Sequence, residues 1–146
     1  MLTEKDYCDY ETCVALKKLD YNEKTLAYYT SEGFFHWIRA YIYDVAIPDL
    51  ANSSNKKPYK HIIDAMSLYE AQKWLREEKG IIVRVIPIYE ERKLIKGISY
   101  THEVIYWTDG YVTDECIEEY PSYEEALSEG IKEAVKILKE NETMLR

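Results

Sequence analysis

The sequence predicts an α+β fold: a mostly antiparallel sheet with helices packed on one face, ordered as a helix–hairpin unit followed by helix, three strands and helix. Three observations carry this. Two segments, after Ser67 and after Ser122, open with capping boxes and continue with apolar residues at helical spacing. The stretch between them is β-branched and aromatic and contains Asp109-Gly110, a strong hairpin signal. Tyrosine accounts for 15 of the 146 residues and clusters in extended-looking segments, where the ring packs and the hydroxyl stays wet. A chain of 146 residues, 47% hydrophobic, can bury a core, and it is expected to form one domain over 1–146.

Residues 9–19 read as a short helix. Asp9 caps it by accepting from the Thr12 amide, and Tyr10, Cys13 and Val14 share a face. Lys17 and Lys18 stand at its C-terminal end, where the dipole favours cations, and Asp20 suits the exit. Residues 25–30 form a tyrosine-rich strand. The turn Ser31-Glu32-Gly33 joins it to an extended segment over 34–47, giving a hairpin. Residues 49–60 are a polar loop holding the only basic cluster, Lys56, Lys57 and Lys60, and His61 to Ile63 make a brief strand.

The helix predicted over 68–79 has Ser67 as N-cap, Glu70 at the third position and Gly80 as C-cap. Leu68, Ala71, Trp74 and Leu75 face inward. Residues 81–89 form a strand whose Pro87 belongs at an edge or bulge. Residues 90–97 are a turn, 98–108 a second strand and 111–117 a third. The last helix starts after Ser122, pairs it with Glu125, and buries Ala126, Leu127, Ile131, Ala134, Val135 and Leu138. Gly130 inside this helix predicts close packing onto the sheet. The expected core centres on Trp74, Leu75, Val85, Ile105, Ala126, Ile131 and Leu138. A faint echo relates Tyr10-Glu11 and Leu16-Lys17 to Tyr69-Glu70 and Leu75-Arg76. A duplicated helix–hairpin unit and chance both explain it.

The net charge is −8, from 19 basic and 27 acidic side chains, which disfavours nucleic acid and anionic lipid as partners. Residues 67–141 hold 10 basic and 16 acidic side chains, so the imbalance sits in the second half. Residues 113–125 carry Asp114, Glu115, Glu118, Glu119, Glu124 and Glu125 and no base. They read as a solvated surface around a turn or as a docking face for a basic partner. Asp114, Glu115, Glu118 and Glu119 are the candidate partner-binding residues. The N-terminus lacks the features of a secretory signal, and no apolar run approaches the roughly 20 residues of a membrane span. A cytoplasmic setting is therefore expected.

Catalytic and metal signatures are absent. There is no nucleophile elbow, zinc-protease motif or phosphate-binding glycine loop, and the five glycines are scattered. Cys8, Cys13 and Cys116 lack zinc-knuckle spacing and are expected to be buried, reduced thiols. His102 and Glu103 are strand neighbours pointing to opposite faces, so they form no local acid–base pair. Asp114, Glu115 and Glu118 lack the rhythm of a calcium loop. No catalytic residue, cofactor or metal is predicted. The element order from residue 67 onward is that of a double-stranded-RNA-binding domain. The likeness stops at topology, because the last helix opens with Glu124 and Glu125 where phosphate-binding lysines would stand.

Across CDYETCVALKKLDYNEKTLAYY, SLYEAQKWLREEKGI and YPSYEEALSEGIKEAVKIL, the chain resembles small uncharacterised proteins of gut-bacterial genomes, often found among prophage or mobile-element genes. The resemblance implies a bacterial, cytoplasmic, phage-related setting. It assigns no activity and no functional residue. The expected function is a non-catalytic protein-interaction module binding a protein partner or a second copy of itself. The alternatives are an acidic regulator or mimic acting on nucleic-acid enzymes, and a small enzyme with a dispersed site.

Overall fold

The computed structural model describes residues 2–42, 45–48, 62–89 and 98–144, with side chains at 2–38, 62–88 and 98–141. The fold is α+β with every strand pairing antiparallel. The chain divides into two compact units, Met1–Ser67 and Leu68–Arg146. Each unit has its own strands, so the sheet expected as one is separate sheets. The loop 49–60 with its three lysines, His61 and the tip 90–97 lie outside the described residues.

In the first unit, helix α1 spans Tyr10–Lys18. The Asp9 carboxylate accepts from the Thr12 amide at 2.8 Å, as the sequence predicts, and Asp20 ends the helix at φ +72°. Strands β1 (Ala27–Thr30), β2 (Phe35–Trp37) and β5 (Ile62–Ala65) form a sheet in the order β2-β1-β5. Strands β3 (Arg39–Ile42) and β4 (Val45–Pro48) pair as a separate hairpin. α1 packs against β5 and buries Cys13 and Leu16 beside Ala27, Ala65 and Met66. Three tyrosines of this unit join an aromatic cluster. Tyr7 meets the edges of Phe35 and Trp37, and Tyr29 meets Tyr10 and Phe35.

The second unit has the predicted order. Helix α2 spans Leu68–Lys79 and buries Leu68, Ala71, Trp74 and Leu75, and Gly80 follows it at φ +66°. Strands β6 (Ile82–Tyr89), β7 (Ile98–Trp107) and β8 (Tyr111–Glu115) form a sheet in that order. Pro87 lies on β6, an edge strand, where its missing N–H costs no ladder bond. Helix α3 spans Tyr123–Met144 and lies across β6 and β7, with α2 packed against α3 and β6. The Ser122 hydroxyl accepts from the Glu125 amide at 3.1 Å, which is the cap the sequence predicts.

Three expected core positions are only half-buried: Val85, Ile105 and Leu138. Ile105 pairs with Ile82 and stands on the sheet face opposite Val104, which is the face buried against α3. On α3 the inward position after Val135 is taken by Ile137 rather than Leu138. The third strand also ends earlier than predicted, at Glu115 instead of residue 117.

Candidate functional site

The early end of β8 creates a concavity in the second unit. Cys116 still pairs with β7, its amide donating to the His102 carbonyl at 3.1 Å. The chain next meets β7 at Tyr120, which exchanges backbone bonds of 2.7 and 2.9 Å with Tyr100. Four steps along one chain thus match two along the other, so residues 117–119 are extruded, as in an enlarged β-bulge. The Cys116 sulfur braces the extrusion by accepting from the Glu118 amide at 3.4 Å. Ile117 is left 97% exposed.

The extrusion and α3 flank an open cavity of about 520 Å³. Its floor is His102 on β7, with Cys116 and Tyr120 beside it. Asp114, Glu115, Ile117 and Glu118 line one side, and Glu129 and Glu133 of α3 line the other. Three of the four predicted partner-binding residues, Asp114, Glu115 and Glu118, therefore line the cavity, although strand alternation turns the Glu115 side chain to the other sheet face. The fourth, Glu119, does not line it. Its carboxylate accepts from the Ser99 hydroxyl at 3.2 Å. Among the described residues the carboxylates on this face are Asp114, Glu118, Glu129 and Glu133, and no lysine or arginine lines the cavity.

Two of these carboxylates already have partners. Tyr120 donates to Glu118 at 3.3 Å, and Lys132 donates to Glu129 at 3.1 Å. Asp114 lies near the Tyr106 phenol. Burial, followed by the Asp114 charge and hydrogen bond, pushes the Tyr106 phenol above its ordinary pKa. Burial and then the Cys116 thiol raise Tyr120 similarly, so both phenols stay protonated donors.

His102 differs. It is 6% exposed, and its ring stacks on Tyr120 with centroids 5.9 Å apart. Among the described residues its Nδ1 is the only buried side-chain nitrogen or oxygen with no hydrogen-bond partner. Such an atom costs roughly 1–3 kcal/mol. Burial lowers the His102 pKa against the opposing pull of Glu133, Glu129 and Glu118, which favours the neutral ring. Gly130 lets α3 reach it, since a Cβ there would lie 3.2 Å from Cβ and Cγ of His102.

Sequence inspection missed His102, Tyr120, Glu129 and Glu133 as lining residues. Gly130 was the available clue, because a helical glycine that admits close packing brings its neighbours onto the sheet. Cys116 corrects another expectation: it is half-exposed at the cavity, whereas Cys8 and Cys13 are buried thiols. Cys116 lies 3.9 Å from the Tyr120 hydroxyl and makes no contact with His102 of the kind that activates a thiol nucleophile. Glu103, adjacent in sequence, points to the opposite face and is buried against Arg84 in an ion pair.

The first unit offers a contrasting cluster. Tyr29 donates to the Cys8 carbonyl at 2.6 Å, and the Cys13 thiol donates to the same oxygen at 3.6 Å. A hydrogen bond from Cys13 and then burial push the Cys8 thiol well above its ordinary pKa, so it is protonated and unreactive. Its role is packing.

The described residues contain no group of three or more side chains placed to hold a metal ion, and no helix long and apolar enough to cross a membrane. No family model, curated protein or solved structure matches the chain.

Proposed function

We propose that the chain is a non-catalytic protein-interaction module that docks through the open face of the β6-β7-β8 sheet. One observation carries the reading. Trp107 and Tyr111, 63% and 76% exposed, form an edge-to-face pair with centroids 4.9 Å apart. Exposed aromatic pairs supply large rigid contact area, and tryptophan and tyrosine are enriched at interfaces. The register places this pair on the face carrying Ile82, Ile105 and Thr113, turned away from α3. Glu115 ends the same row, so a partner surface combining apolar and basic groups is the complement. A bacterial, phage or mobile-element origin is part of this proposal and rests on the resemblance alone.

The test compares the tagged protein with its Trp107→Ser/Tyr111→Ser variant in capture from bacterial lysate and in light scattering. Either a stoichiometric protein partner or self-association is expected for the parent and is lost in the variant, at unchanged thermal midpoint. Identical behaviour of the two proteins would reject this face.

A further inference from the structure

We propose that the cavity beneath α3 binds a protonated primary alkylamine, with His102 Nδ1 and the Glu133 carboxylate as its two principal acceptors. The site lies on the opposite sheet face from Trp107 and Tyr111, so the inference stands apart from the docking proposal.

The first observation is the orphaned acceptor. His102 is more than nine-tenths buried, lines the cavity, and has no partner for Nδ1. In the Nε2–H form of a neutral imidazole, Nδ1 is an acceptor and calls for a donor. The second is the charge facing it. Glu118 is engaged by Tyr120 and Glu129 by Lys132, while Glu133 has no hydrogen bond or ion pair among the described residues. Of the charges acting on His102, Glu133 is the strongest. One neutral acceptor and one free carboxylate therefore stand together.

The ligand class follows from these groups. An anion is repelled by the four carboxylates of Asp114, Glu118, Glu129 and Glu133. A metal ion lacks a ligand set among the described residues. A primary ammonium has three N–H donors that rotate freely toward acceptors on separate elements. A guanidinium is a planar fork suited to both oxygens of one carboxylate, and it fits this divided pair poorly. The cavity volume, about 520 Å³, leaves room for an alkyl chain along Ile117 and the Tyr120 ring. The amine belongs either to a free polyamine or to a lysine side chain of another protein.

The test is NMR of histidine-labelled full-length protein, observing the His102 ring. The probes are spermidine, N-acetyl-lysine methylamide and N-acetyl-arginine methylamide at near-neutral pH. Saturable movement of the His102 resonance by at least one amine is expected. Glu133→Gln should weaken it about tenfold, the loss of roughly 1.4 kcal/mol. Glu140→Gln, which removes the same charge outside the cavity lining, should leave it unchanged. A response to spermidine alone assigns a free polyamine, and a response to the lysine probe assigns a side chain. An unmoved His102 ring, equal binding of the arginine probe, or equal weakening by the two variants would overturn the proposal.

Discussion

A Cβ built on Gly130 would sit 2.6 Å from Val83 Cγ1 and 3.2 Å from two carbons of His102. Two effects then compete in Gly130→Ala. Alanine gains about 1 kcal/mol of helix propensity. Overpacking costs about 1–3 kcal/mol, because Val83 is buried and cannot swing clear. We expect net destabilisation in a urea titration, together with a shift of the His102 ring resonance. A stabilised variant would show that α3 can rise from the sheet at no cost. The glycine was legible in the sequence as a sign of close packing. Its neighbour across the gap was not, since nothing local connects Gly130 with a histidine on β7.

Helix α1 has only nine residues, too few to persist without tertiary contacts and caps. Its cap is the Asp9–Thr12 bond. Asp9→Ala should cost about 0.5–2 kcal/mol in a denaturant titration, and Asp9→Asn should restore most of it. Equal stability of the alanine variant and the parent would show that packing on β5 suffices. Caps of this kind, like the stripe of α2, involve residues a few positions apart, which is why α2 was bounded correctly from sequence. The end of β8 was not. Residues 116 and 117 have strand character, but pairing continues only through Cys116, and Tyr120 is the next residue to find β7. Where a strand leaves its partner depends on register, and register is a property of two segments.

Charge acts over the full chain. At −8 the protein gains nothing from releasing phosphate counterions, and α3 begins with Glu124 and Glu125. No gel shift is expected with duplex DNA or RNA at physiological salt. Lys56, Lys57 and Lys60 are too few beside the roughly 6–10 phosphate contacts of a salt-sensitive binder. Binding that survives at that salt after all three lysines are replaced would refute the electrostatic argument.

The amino-acid pattern by itself determined the α+β class, the order of elements in the second unit, the caps at Asp9 and Ser122, the Asp109-Gly110 hairpin and the acidity of residues 113–125. All of these depend on periods of two to four residues or on composition. The extended segment expected over 34–47, by contrast, is three short strands. Only tertiary structure decided the division at Ser67 and the extrusion of 117–119. It also decided that Asp114 and Glu118 share a cavity with His102, Glu129 and Glu133, while Glu119 turns to Ser99. The reason is geometric. Convergence of side chains distant in sequence is set by strand register and by how closely a helix crosses a sheet, and neither leaves a periodic trace in the chain.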